Sequence, residues 1–196
     1  MTTDEAIFNK FNFRGRRSNL PWYPHKGTRR ELAELFGELN FNFGVEVGTR
    51  RGDFAKFLCE KNPNLHLICV DPWLAYNKQY VRQDIQDRIY SEAVNKLKDF
   101  NVELRREMSI DAVKIFKDRS IDFVYIDGNH LFDFVMMDLI HWVPKVKRQG
   151  IVALHDYDCF VGSDVIKAVD AYTHCHAINP WYVTREEWPT AYWVKK

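Results

Sequence analysis

An α/β fold with a doubly wound, mostly parallel sheet is predicted by three observations. The stretch Gly44-Val45-Glu46-Val47-Gly48-Thr49-Arg50-Arg51-Gly52-Asp53 passes from an apolar run through two glycines into a helix pattern carried by Phe54, Phe57 and Leu58. Further short apolar runs at 65–70, 102–106, 121–126 and 151–154 are separated by segments of helical period, the alternation that parallel strands and their crossovers require. Several of these runs stop at polar residues, which places acids and histidines on one rim of the sheet, where open α/β sheets bind ligands.

The first bend sets the chemistry. Strand, glycine turn and helix follow each other directly, so the helix N-terminus faces the turn, and the glycines let the backbone pass close to a bound group. The spacing Gly48-x-x-x-Gly52 lacks the middle glycine through which a pyrophosphate approaches in dinucleotide sites. Glu46, just before Gly48, offers a carboxylate that repels phosphate and attracts an amino group or a hydroxyl.

Composition narrows the classes. With 196 residues, 46% of them hydrophobic, the chain is long enough for one full core. A net charge of +1 gives no electrostatic reason to expect nucleic acid or an anionic membrane as partner. Cys59, Cys69, Cys159 and Cys175 show no paired metal spacing and no disulfide framework, and the first two read as small core residues. His174-Cys175-His176 reads as loop, since no acids lie nearby in sequence. No signal peptide and no apolar run of membrane-spanning length are visible, so a cytoplasmic protein without a membrane partner is the expectation. Oligomeric state leaves no mark, a homodimer included.

Taken in order, residues 1–27 read as an N-terminal arm, polar and aromatic without clear period, with a basic cluster at Arg14, Arg16 and Arg17. A surface segment is its simplest reading, and a lid over the site is the alternative. Residues 28–196 form the second unit. Thr28-x-x-Glu31 is a capping box that starts a helix with Leu32, Leu35, Phe36 and Leu39 on one face. The second strand, 65–70, ends at Asp71-Pro72-Trp73, and Asp71 lies 19 residues beyond Gly52, the distance at which an acid accepts from ribose hydroxyls in nucleotide-binding βαβ units. Residues 83–97 form a crossover helix with Ile85, Ile89, Val94 and Leu97 inward. Ser109 caps the next helix, whose inward face is Ile110, Val113 and Phe116. After the fourth strand, Asp127-Gly128-Asn129-His130 delivers a carboxylate and an imidazole before a helix with Phe132, Val135, Met136 and Leu139 inward. The fifth strand ends at His155-Asp156-Tyr157-Asp158, and Ser163 caps a helix bearing Val165, Ile166, Val169 and Tyr172. Two strands, 181–184 and 191–194, close the chain. Trp22, Tyr23, Trp181 and Trp188 read as exposed aromatics able to line an acceptor pocket, or equally as packing residues.

Glu46-x-Gly48-x-x-x-Gly52, Asp71, Asp127-Gly128-Asn129-His130 and the segment from Gly150 to Tyr157 together resemble a class I S-adenosylmethionine-dependent methyltransferase, in particular small O-methyltransferase-like domains with Asp-Gly-x-His and His-Asp-Tyr motifs. The resemblance covers residues 28–194. It implies a Rossmann-like, doubly wound, seven-stranded, mostly parallel sheet with an antiparallel C-terminal strand. It also implies S-adenosylmethionine as cofactor, with the bend at Gly48, Thr49 and Gly52 around the methionine part and Glu46 near its amino group. Asp71 would hold the ribose, Trp73 would pack near the sugar and Ser109 would lie by the adenine, with Asp127 also at the cofactor. Relatives that methylate hydroxyls bind magnesium through the acid closing strand four and a pair after strand five, which implies Mg2+ at Asp127 and Asp156. His155 and Tyr157 flank Asp156 where a further acid or amide would be expected.

The function expected is O-methylation of a small hydroxyl-bearing acceptor such as a sugar or phenol, with His130, Asp127 and Asp156 as catalytic residues. A non-catalytic S-adenosylmethionine-binding module keeps the same fold and is the harder alternative. A nicotinamide-dependent oxidoreductase is disfavoured by Glu46 and the missing glycine. A nucleic-acid base methyltransferase is disfavoured because no Pro-Pro-aromatic motif follows strand four.

Overall fold

Seven strands form one sheet in the order β3-β2-β1-β4-β5-β7-β6. They are β1 (Phe43–Val47), β2 (His66–Val70), β3 (Val102–Arg105), β4 (Ile121–Ile126), β5 (Val146–Leu154), β6 (Tyr182–Val183) and β7 (Ala191–Val194). The first five are mutually parallel, and β7 runs antiparallel to both its neighbours, β5 and β6. The seven-stranded, doubly wound expectation is met. Strand order reverses between β1 and β4, so their C-terminal ends diverge into a crevice at the switch point. The computed structural model describes residues 1–13, 20–75, 82–157 and 164–196. Arg14, Arg16, Arg17, Asp158, Cys159 and Ser163, all singled out above, lie outside the described residues.

Both faces of the sheet are covered, which is why the central strands read as nearly continuous apolar runs. On one face α1 (Thr3–Lys10), α2 (Arg29–Glu38) and α3 (Asp53–Lys61) bury Phe36, Leu58 and Leu67 together with Phe123 and Tyr125. On the other, α5 (Ser109–Ala112), α6 (Phe132–Trp142) and α7 (Asp164–Cys175) pack on Val45, Val47, Val124 and Val152. Alternation along β1 turns Glu46 to the first face, in register between Cys69 and Tyr125. The remaining helix, α4 (Gln83–Leu97), packs beside α3.

Four expectations need correction. Residues 1–13 are not a surface segment. Thr2 and Glu5 form a capping box that starts α1, and Ile7 and Phe11 are wholly buried in the core cluster of α2 and α3. Trp22 pairs with Tyr182 as a further bridge at the sheet edge, and both Trp22 and Trp181 are buried away from the rim. The fifth strand begins at Val146 instead of Ile151, across a register shift opposite Ile121 and Phe123 that the polar run Lys147-Arg148-Gln149 concealed in the sequence. In α4 the inward position belongs to Ala93, fully buried, while Val94 is 39% exposed.

Asp122 sits at that register shift, at the end of the sheet opposite the crevice. Its Oδ2 accepts from the backbone N–H groups of Asn42 and Phe43, each at 2.9 Å, and its Oδ1 from Lys147 Nζ at 2.6 Å. This acid ties two strand starts together. Cys59, Cys69 and Cys175 are free thiols, the first two buried as expected. Among the described residues no helix is long and apolar enough to cross a membrane.

Candidate active site

Gly48 fixes where the crevice lies. Its φ is +91°, and a Cβ there would sit 1.9 Å from the carbonyl oxygen of Asp127, so only glycine lets β1 turn away this close to β4. The parallel ladder runs on into the rim: Gly48 N–H donates to Val70 O at 2.8 Å, Asp127 N–H to Val47 O at 2.7 Å and His155 N–H to Ile126 O at 2.9 Å. The ends of β1, β2, β4 and β5 are thereby held level. Above them opens a cavity of about 880 Å³ whose lining includes Glu46, Gly48, Thr49, Asp71, Ser109, Asp127, His130 and Asp156. Gly52 is not in that wall; in the left-handed region, at φ +74°, it ends the turn and leads into α3.

Glu46 is 2% exposed, and its Oε2 has no hydrogen-bond partner among the described residues. Burial above all, with the negative charges of Asp127 and Asp71 added, pushes its carboxyl up to about 8. A buried carboxyl with an unpartnered oxygen at a cavity wall is built to meet a donor from a ligand. Asp71 is more fully held: Oδ2 accepts from Arg50 N–H at 2.9 Å and Oδ1 from Trp73 N–H at 2.8 Å. Burial raises its pKa, against the pull of those two backbone donors.

Trp73 goes elsewhere than expected. It is 1% exposed, its Nε1 donates to Arg50 O at 2.9 Å, and its ring packs edge-on against Tyr90 at 4.8 Å between centroids. Its neighbours Pro72 and Leu74 line the cavity in its place. Ser109 does line the cavity but does not cap its helix, whose N-cap is Met108. Its hydroxyl accepts from Trp142 Nε1 at 2.7 Å and donates to Asp138. Asp138, unread in the sequence, is buried at the same wall, and burial raises its carboxyl to about 6 against the Ser109 hydrogen bond.

The cavity lining also holds two carboxylates and two imidazoles. Asp127 follows β4, and Asp156 follows β5 with a positive φ of +59°. His130, half exposed, places Nε2 3.1 Å from Asp156 Oδ2 and 3.7 Å from Asp127 Oδ1. His155, 8% exposed, places Nδ1 3.0 Å from Asp156 Oδ1 and 3.6 Å from Asp127 Oδ1. Burial would raise the Asp127 pKa, but the neighbouring imidazoles of His130 and His155 outweigh it and hold the carboxylate below its usual range. The nearby carboxylate of Asp127, followed by the charge of Asp156, raises His130.

Arg29, the first residue of α2, completes the group. Its Nη1 lies 2.8 Å from His155 Nε2, and its guanidinium stacks over the Phe54 ring at 5.3 Å. No local pattern marks Arg29, because its partner is 126 residues away. Tyr157 turns from the rim, donating to Asp170 Oδ1 on α7 at 2.8 Å.

One oxygen each of Asp127 and Asp156 and a ring nitrogen of His130 lie within 4.8 Å of one another. As a donor set this fits magnesium poorly. Magnesium takes near-octahedral oxygen, whereas here the neighbours of the two carboxylates are imidazoles on both sides.

Fold and site define a Rossmann-like α/β protein with a nucleoside-sized cavity at the switch point, lined by acids at its bend and by an acid–imidazole cluster. The family model described as a methyltransferase domain matches residues 45–157, more than half of the chain, and the chain belongs to that family. No curated protein matches the sequence. Among solved structures, an O-methyltransferase from Bacillus cereus in complex with S-adenosylhomocysteine is 13% identical, with 98% of this chain and 90% of that one covered at a TM-score of 0.61. A Podospora anserina methyltransferase bound to S-adenosylhomocysteine is 11% identical, with 86% and 78% covered at 0.66. The O-methyltransferase NovP is 16% identical, with 86% and 79% covered at 0.64. At these identities the likeness is one of fold; the family match makes the protein a methyltransferase.

Proposed function

We propose that the protein transfers the methyl group of S-adenosylmethionine to a hydroxyl of a small acceptor, with His130 as general base. The observation that carries this reading is the shared cavity: an unpartnered Glu46 oxygen, the fixed Asp71 carboxylate and the Asp127–His130–Asp156 cluster line the same wall space. The cofactor's α-ammonium supplies the donor that Glu46 Oε2 lacks, and its ribose hydroxyls donate to the remaining lone pairs of Asp71. Ser109 and Asp138 then border the adenine. Two cofactor-bound structures of the same fold, those of Bacillus cereus and Podospora anserina, support the choice of cofactor.

In the chemical step an acceptor oxygen attacks the methyl carbon as the carbon–sulfur bond breaks, and the sulfonium leaves as a neutral thioether. The hydroxyl proton passes to His130. His130 Nε2 lies 3.1 Å from Asp156 Oδ2 and 3.7 Å from Asp127 Oδ1, so the two carboxylates stabilise the imidazolium that forms. Magnesium at Asp127 and Asp156, implied by the resemblance, takes no part in this reading, because the donors around those carboxylates are nitrogens. Mass spectrometry of the protein with methyl-deuterated S-adenosylmethionine and a panel of sugars, phenols and hydroxy acids tests it. The expected result is a labelled O-methyl product lost in His130→Ala. Absence of calorimetric binding to S-adenosylhomocysteine would sink the assignment.

A further inference from the structure

We infer that the acceptor is a hydroxy acid whose carboxylate docks on Arg29 while its hydroxyl lies at His130. The inference rests on the methyltransferase reading above and names the class of acceptor which that reading leaves open.

Among the described residues, three arginines are partly buried: Arg29, Arg51 and Arg105. Arg51 pairs with Glu92, and Arg105 pairs with both Glu103 and Glu107. Arg29 differs, because it lines the cavity and no described carboxylate lies within ion-pair reach of its guanidinium. A fixed charge partly withdrawn from water is costly without a counter-ion, so a guanidinium placed this way at a cavity wall is suited to an anion brought by the ligand.

The surroundings of Arg29 hold it without neutralising it. Its Nη1 lies 2.8 Å from His155 Nε2, and its guanidinium lies 5.3 Å from the centre of the Phe54 ring, which lines the same cavity. Tyr125 stands beside it, its hydroxyl 3.1 Å from Thr190 Oγ1. None of these groups is an anion. Glu186 and Asp127 act on the guanidinium only through longer-range charge, and Glu186 Oε1 already accepts from Arg29 N–H at 2.7 Å and from Thr184 Oγ1 at 2.8 Å.

Position then fixes what the anion belongs to. His155 Nδ1 lies 3.0 Å from Asp156 Oδ1, and Asp156 Oδ2 lies 3.1 Å from His130 Nε2, so one imidazole and one carboxylate separate the anchor from the base. A single small molecule can touch both. Arg50 and Arg51 also line the cavity, but they stand on the glycine bend beside the methionine part of the cofactor. A carboxylate matches the planar fork of a guanidinium and brings one charge, whereas a phosphate dianion would face Asp127 and Asp156 with two.

Calorimetry on the full chain saturated with S-adenosylhomocysteine tests this, with hydroxybenzoates, sugar acids and aliphatic hydroxy acids each titrated beside the matching amide. At least one acid should bind about 10- to 100-fold more tightly than its amide, and Arg29→Met, which keeps an apolar stem over Phe54, should bring that ratio close to one. Arg29→Lys keeps the charge without the fork and should retain part of the ratio. In turnover the loss should fall on KM for the acid more than on kcat. A wild-type protein that prefers no acid over its amide, or a preference that survives in Arg29→Met, would overturn the proposal. If the variants fail to fold, a wild-type crystal with S-adenosylhomocysteine and the tightest acid decides: carboxylate density on the Arg29 guanidinium supports the inference, and density on Arg50 or on a cation at Asp127 and Asp156 overturns it. Failure of wild type to bind S-adenosylhomocysteine would count against the methyltransferase reading instead, and the acid–amide comparison on the ligand-free chain would then decide whether Arg29 is an anion site.

Discussion

His130 Nε2 and Asp156 Oδ2 lie 3.1 Å apart across the open side of the cavity, joining the loop after β4 to the end of β5. In the proposed mechanism, with His130 as base, the pair governs how the reaction responds to pH. Asp127 and then Asp156 raise the His130 pKa above its ordinary value, and the base works only when neutral. Transfer should therefore fall as pH drops through a value above the usual histidine range. His130→Ala should lower the rate by about 10²–10⁴-fold with cofactor affinity retained. Asp156→Asn removes a raising charge, so the acid limb of its rate profile should move to lower pH. An unchanged limb in Asp156→Asn would remove the pair from the mechanism.

Glu46 supplies a second pH signature, in binding. Its carboxyl is protonated up to about 8 in the ligand-free protein, whereas contact with an ammonium requires the carboxylate. Binding of S-adenosylhomocysteine near pH 7 should thus release a proton, which is read as a dependence of calorimetric heat on buffer ionisation enthalpy. The same shift bears on folding. Because the folded pKa lies above that of the unfolded carboxyl, the unfolded state ionises first as pH rises, and stability is lost between the ordinary carboxylate range and about 8. Glu46→Gln should weaken binding by about 10- to 100-fold, the worth of a charged hydrogen bond, and flatten that loss of stability. Heat that is the same in all buffers would contradict the account.

Asp71 fails differently when altered, because its two oxygens already hold Arg50 N–H and Trp73 N–H. Asn at this position keeps one acceptor and turns the other into a donor facing an N–H. Asp71→Asn should cost both cofactor affinity and about 1–3 kcal/mol of stability. Equilibrium urea unfolding with and without S-adenosylhomocysteine separates the two effects. If only binding changed, the backbone contacts would be incidental to the fold.

Much of this was legible from sequence because it depends on short-range pattern. The glycine bend, the acids after β2 and β4 and the order of helices and strands are local features, and Gly48, Asp71 and Asp127 reach the cavity as their positions at strand ends dictate. What stayed hidden depends on distant partners. Arg29 and His155 meet across 126 residues, and Ser109, Asp138 and Trp142 form a chain between two helices. Trp73 departs from its expected place because a strand end fixes where the backbone goes but not the turn beyond it, where a positive φ of 42° swings the indole onto α4. Thr2-x-x-Glu5 carries a capping signal, and the aromatic, aperiodic run after it masks the helix it starts.

That first helix leads to the last expected outcome, one of stability. Phe11 ends α1 and is wholly buried, with its ring 5.6 Å from Tyr192 on β7 and so close to Gly27 that a Cβ there would lie 2.3 Å from it. Gly27 in turn precedes the cap of α2, and its carbonyl accepts from Arg185 N–H at 2.8 Å, so the ring supports the turn that presents Arg29. Phe11→Ala leaves a cavity between two elements that collapse poorly onto each other and should cost about 3–5 kcal/mol. Glu38→Ala breaks only an exposed ion pair with Lys10 and should cost less than about 1 kcal/mol. Thermal or urea unfolding of the two variants distinguishes an integral first helix from a loosely attached one. Equal, small losses in both would mean that residues 1–13 are dispensable to the core and that the turn at Gly27 holds Arg29 without them.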